Sequence, residues 1–172
     1  MDKAASGFTL VELLVVITIM AITGVFAFAN FGSFGEDQKL KSAVQDVQSL
    51  IRQAQSNAST NTKCSTGYSA TWQVNFENAT TVKLECLESG NATAFIKKTI
   101  SLTNTNISLS SVIGTGSGCP SGTPFIITFE QLSGKMNFVD SRCTSLTITL
   151  TNSKTAAAKS LIIEKGGRIY AQ

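Results

Sequence analysis

Histidine is absent from this chain of 172 residues. That absence removes the commonest general base, the Ser/His and Cys/His catalytic pairs and most zinc sites. Acids are few and scattered, 11 in all, and no two of them stand out as an acid–base pair. The four cysteines contain no C-x-x-C, which argues against a thiolate metal site and against redox chemistry. The run Gly114-Thr115-Gly116-Ser117-Gly118-Cys119-Pro120 lacks the Lys-Ser/Thr that a phosphate-cradling loop requires, and reads as a flexible loop. A net charge of +3 is too small to argue for nucleic acid by itself. An enzyme is therefore the least favoured class, and no cofactor or metal is implied.

What the chain does have is a long apolar stretch near its start. No charged residue occurs from Leu13 to Gly35, and residues 8–31 are long enough to cross a bilayer, which takes about 20 residues of helix. That stretch holds one acid, Glu12. An ionised carboxylate deep in hydrocarbon costs on the order of 3 kcal/mol, so Glu12 requires a partner or a function. An ordinary secretory signal would account for Lys3, the apolar run and an A-x-A site at Ala27-Phe28-Ala29. The run exceeds the usual signal length, however, and a signal gains nothing from a buried acid. A plain single-span anchor with Glu12 snorkelling to the interface explains neither Gly7-Phe8 nor the offset of Glu12 from them.

The length fits one compact domain with an appendage. Gly24, Asn30, Gly32, Ser33 and Gly35 each weaken a helix by up to about 1 kcal/mol relative to Ala, so this region is a soft point in one long helix or a break between two. From residue 37 to 58, Leu40, Ala43, Val44, Val47, Leu50, Ile51, Ala54 and Ala58 recur at three- and four-residue spacing, with Lys39, Lys41, Gln45, Asp46, Gln48, Arg52 and Gln55 between them. That pattern is an amphipathic helix with one face for a sheet. Joined to the apolar stretch, it makes a helix of about 50 residues, about 75 Å long.

Beyond Ser59 the composition turns to Thr, Ser, Asn and Gly mixed with β-branched and aromatic residues. Strands are expected at residues 68–76, 80–87, 94–102, 107–112, 125–130, 135–139, 146–151, 160–164 and 169–171. In Leu146-Thr147-Ile148-Thr149-Leu150 one face is apolar and the other threonine. Turns are expected at Glu77-Asn78, Ser133-Gly134 and Gly166-Gly167. Tyr68, Trp72 and Phe76 share one side of a strand and read as core rather than as a sugar platform. An α+β fold, an antiparallel sheet set packed on the amphipathic helix, follows. The cysteines at 64, 86, 119 and 143 lie outside the apolar stretch, where disulfides persist in an oxidising compartment. Three connectivities are open. Cys64 with Cys86 and Cys119 with Cys143 is favoured, because each pair brackets one strand unit. The four Asn-x-Ser/Thr matches, at Asn57, Asn78, Asn91 and Asn106, carry no functional weight in so Asn- and Thr-rich a chain.

Gly7-Phe8-Thr9-Leu10-Val11-Glu12, behind a short leader with Lys3, resembles the amino-terminal signature of type IV prepilins and of the pseudopilins of type II secretion. The resemblance implies a pilin-like fold divided into a leader (residues 1–7), a transmembrane and filament-core helix (8–35), an amphipathic helix (36–58) and a β-rich ectodomain (59–172). It implies cleavage between Gly7 and Phe8 by prepilin peptidase, N-methylation of the new Phe8 amine, and residence in the inner membrane as a single-pass protein with an extracytoplasmic domain. Its implied partners are the lipid bilayer, other pilin or pseudopilin subunits and an inner-membrane assembly platform. Glu12 would then neutralise the Phe8 amine of a neighbouring subunit, since a matched pair in an apolar core costs far less than a lone charge. Many pilins carry a proline where this chain has the glycines of residues 24–35.

The order of residues 125–130, Gly134, a strand, residues 146–150 and Gly166-Gly167-Arg168-Ile169 is also similar to minor pseudopilins of the GspH/FimT type. In one branch of that group a terminal Gly-Arg-x-Arg binds DNA. Gly167-Arg168-Ile169 matches its start, but Tyr170 stands where the second arginine falls, which argues against DNA uptake. Lys165 and Arg168 read as the cations of a solvated hairpin, and as the candidate phosphate contacts if DNA is bound. The function expected is that of a minor pseudopilin or pilin subunit in type II secretion, and the alternative is a pilus-associated subunit that binds DNA or another surface ligand. Because Glu12 is present, the tip subunit that lacks this acid is disfavoured.

Overall fold

The computed structural model describes residues 7–65, 70–90, 92–103, 105–117, 119, 121–137 and 143–172, and the side chains of residues 26–33 lie outside that description. Most of the leader, Tyr68, the Asn91 sequon, Gly118, Pro120 and the end of the expected 135–139 strand also fall outside it.

One helix, α1 (Leu10–Ser59), holds 50 residues. Its backbone is helical through residues 30–35, so the glycines do not split it into two helices. The chain divides into two compact units, Met1–Glu36 and Asp37–Gln172. In the first, the apolar side chains of Leu10, Leu13, Leu14, Val15, Ile17, Met20, Ile22 and Val25 are exposed. Two hydroxyls in this stretch turn back on their own helix: Thr18 Oγ1 donates to the Val15 carbonyl at 2.8 Å and Thr23 Oγ1 to that of Ile19 at 2.9 Å. Among the described residues no helix is long and apolar enough to cross a membrane.

In the second unit, Leu40, Ala43, Val44, Val47, Leu50, Ile51, Ala54 and Ala58 are all buried, the single face that their spacing demands. The helix stops at a Schellman motif. Asn61 takes the left-handed φ of 50°, the Thr62 N–H reaches the Asn57 carbonyl at 2.8 Å and the Asn61 N–H that of Ala58 at 3.2 Å.

Among the described residues nine strands follow, all paired antiparallel: β1 (Ala70–Asn78), β2 (Thr81–Glu88), β3 (Phe95–Ser101), β4 (Ile107–Thr115), β5 (Phe125–Phe129), β6 (Met136–Asn137), β7 (Ser145–Asn152), β8 (Ala158–Glu164) and β9 (Ile169–Ala171). They form a five-stranded sheet, β3-β2-β1-β5-β6, and a four-stranded sheet, β4-β7-β8-β9. Trp72, Val74 and Phe76, Val82 and Leu84, and Phe125, Ile127 and Phe129 line the buried face of the first. Phe76 and Phe125, directly paired across β1 and β5, stack with ring centroids 4.3 Å apart. Leu146, Ile148 and Leu150, with Leu161 and Ile163, line that of the second. Buried residues of the helix and of both sheets form one cluster.

The structure moves two expected features. Gly114 and Thr115 belong to β4 rather than to a flexible loop, paired with Leu146 and Ser145, and a Cβ on Gly114 would lie 2.0 Å from that of Cys119. The first hairpin turns two residues late, at residues 79–80, because the Asn78 side chain caps it: its Oδ1 accepts from the Thr80 N–H at 2.9 Å. Glu77 consequently stays in β1 and pairs with Lys83.

Candidate functional site

The segment around Gly7 and Phe8 is built by the start of α1. Gly7, Phe8 and Thr9 precede the helix in irregular backbone, and Phe8 is 88% exposed, so the Gly7–Phe8 bond is presented rather than packed away. Thr9 caps the helix reciprocally with Glu12. Thr9 Oγ1 accepts from the Glu12 N–H at 3.3 Å, and Glu12 Oε2 accepts from the Thr9 N–H at 3.0 Å and from Thr9 Oγ1 at 2.9 Å. This is a capping box, in which two orphan donors of the helix start are satisfied by the side chains three residues apart. The Glu12 carboxylate is thus held against the amino-terminal end of the helix, beside the residue that follows Phe8. Thr9 was not singled out from the sequence, although Thr-x-x-Glu ahead of an apolar run is the signal that identifies it.

A second group lies at the far end of α1, around the β8–β9 turn. Gly167, at φ 89°, lets the chain reverse, with its N–H on the Glu164 carbonyl at 2.8 Å and the Glu164 N–H on the Arg168 carbonyl at 2.9 Å. Three polar residues of α1 hold this turn by its carbonyls: Gln48 Nε2 and Arg52 Nη2 each donate to Ile169 at 3.3 Å, and Gln55 Nε2 donates to Gly167 at 3.1 Å. The helical pattern separates Gln48, Arg52 and Gln55 from the buried face but is silent on what they reach.

Arg168 is engaged within its own hairpin. A carboxylate oxygen of Glu164 lies 3.7 Å from Nη2, and the guanidinium carbon sits 5.1 Å from the centroid of the Tyr170 ring, a cation–π distance. Tyr170, at the position of the second arginine in the Gly-Arg-x-Arg comparison, therefore occupies the face of Arg168. Lys165 belongs to the same turn, its N–H on the Thr144 carbonyl at 2.9 Å.

Both disulfides form, Cys64–Cys86 and Cys119–Cys143. The first ties the segment after α1 to β2, and the second ties the segment after β4 to that before β7. Among the described residues no three His, Cys, Asp or Glu side chains gather as metal ligands.

The prokaryotic N-terminal methylation motif matches residues 2–28, a stretch that includes the Gly7–Phe8 junction and the Thr9–Glu12 capping box. The match supports a type IV pilin-like protein. Such a motif implies processing by prepilin peptidase and assembly with other pilin subunits, and with them a location at the membrane or in a filament. No curated protein and no solved structure matches the chain.

Proposed function

We propose that this protein is a minor pseudopilin or minor pilin subunit, held in the inner membrane through residues 8–35 and assembled into a short filament that serves type II protein secretion. Its work is mechanical rather than catalytic: the helix enters the filament core and the disulfide-linked β domain is displayed. The observation that carries this reading is the methylation motif over residues 2–28, with an exposed Gly7–Phe8 junction and the Glu12 carboxylate held one turn away. A stretch without charge from Leu13 to Gly35, whose Thr18 and Thr23 hydroxyls are satisfied inside the helix, suits residence in hydrocarbon. After cleavage the Phe8 amine is the cation that Glu12 of a neighbouring subunit neutralises.

Binding of DNA through Lys165 and Arg168 is the weaker reading, because Tyr170 stands where the second arginine of Gly-Arg-x-Arg falls and backbone recognition requires several clustered cations. The amino-terminal mass of the mature protein from its native envelope tests the main proposal. An N-methylated Phe8 start is expected; a start at Asn30 or an uncleaved Met1 would overturn it. Glu12→Ala is expected to leave cleavage intact and to prevent incorporation into filaments, measured in the sheared filament fraction.

A further inference from the structure

Beside the β8–β9 turn a cleft of about 560 Å³ opens between the last turns of α1, the turn at Ser133-Gly134 and the turn at Gly167-Arg168. Two arginines, Arg52 and Arg168, line it with Gln55 and Ser56, and no acidic residue does among the described residues. Arg52 has the Ile169 carbonyl as its partner among the described residues, so one N–H of a group with five is used. Arg168, 74% exposed, touches Glu164 only at 3.7 Å.

The two turns that border the cleft approach α1 this closely because two residues lack side chains. Gly134 and Gly167 both have positive φ, and a Cβ would lie 3.1 Å from the Gln55 carbonyl at the first and 2.5 Å from Gln55 Nε2 at the second. Its walls are tied together. The Leu132 N–H reaches the Ala58 carbonyl at 3.0 Å, and Gln55 reaches Gly167 at 3.1 Å.

We infer that this cleft is a binding site for a compact oxyanion, a carboxylate or a phosphate group, held by Arg52 and Arg168. A guanidinium presents a planar fork of donors that matches either group in two parallel hydrogen bonds. Two positive charges on residues that line one open cleft lower the cost of placing an anion there. The ligand takes the open donors of Arg52 and replaces the loose Glu164 contact of Arg168, while Arg52 keeps its carbonyl bond to Ile169.

The test is a nuclear magnetic resonance titration of the full chain in detergent micelles at constant ionic strength, with inorganic phosphate in one arm and acetate in the other. The Arg52 Nε–H and Gln55 side-chain amide signals are expected to shift to saturation with at least one of the two, and the one that saturates at lower concentration names the ligand group. Arg52→Gln is expected to weaken that binding about tenfold, the loss of one charge-assisted contact. Arg168→Gln, at a largely exposed side chain, is expected to weaken it in the same sense and covers the case in which Arg52→Gln disturbs the turn. Lys98→Gln on β3 is expected to leave it unchanged. Shifts that never saturate in either arm, or saturation that both arginine variants retain at the original affinity, would overturn the assignment.

Discussion

At Gly167 the backbone φ is 89°, and a Cβ there would lie 2.5 Å from Gln55 Nε2; at its neighbour Gly166 nothing lies within 4 Å. The two glycines look alike in the sequence and differ in what they permit. Gly167→Ala would force an L side chain into the left-handed region and against the amide that holds the turn, and is expected to cost about 1–3 kcal/mol. Gly166→Ala is expected to change stability by no more than about 0.5 kcal/mol. Urea unfolding followed by the fluorescence of Trp72, the chain's single tryptophan, separates the two, and equal effects would refute the role assigned to Gln55. Arg168 teaches the same lesson about context. Its neighbours Gly167 and Ile169 match a DNA-binding pattern, yet the residues that engage it, Glu164 and Tyr170, are brought to it by the hairpin.

At the scale of elements, the two parts of α1 differ in what surrounds them. Ile51 is fully buried in the second unit, whereas Leu14 in the first is exposed on the isolated chain. Truncating Ile51 to Ala removes contacts and leaves a cavity, and should cost about 2–5 kcal/mol in the unfolding of the β domain. Leu14→Ser should leave that unfolding midpoint unchanged, and a large shift would refute the assignment of Leu14 to a surface outside the core. Much of this scale was legible beforehand. The eight apolar positions from Leu40 to Ala58 are the buried ones, because a helical period of 3.6 leaves little choice of face. The alternation of residues 146–150 likewise marks β7. Strand partners and the split into two sheets were not legible, since they depend on contacts far apart in the chain. The bulge at Ser110 was hidden too: one extra residue between Leu109 and Ser111 lets Leu109 and Val112 both face inward, which strict alternation forbids. In the candidate sites, Gly7, Phe8 and Glu12 were legible as a local motif, while the clamp of Gln48, Arg52 and Gln55 joins residues more than 100 positions apart.

For the molecule as a whole, the question is whether two sheets joined by one core unfold together. Cys64–Cys86 fastens the five-stranded sheet and Cys119–Cys143 the four-stranded one, with sequence separations of 22 and 24 residues. Loops of that length each restrict the unfolded chain by about 3 kcal/mol in the chain-entropy account. Because the buried residues of α1 and both sheets form a single cluster, loss of either bridge should be felt across the whole domain. Cys64→Ser with Cys86→Ser, and Cys119→Ser with Cys143→Ser, are each expected to lower the urea midpoint by a comparable amount while preserving one cooperative transition. Trp72 reports on the first sheet and hydrogen exchange at β7 and β8 on the second. Coincident transitions by both readouts in both variants are the expected result. If removing the Cys119–Cys143 bridge released β7 and β8 to exchange while Trp72 kept its native emission, the sheets would be separate folding units, and the core they share would not be what holds the β domain together.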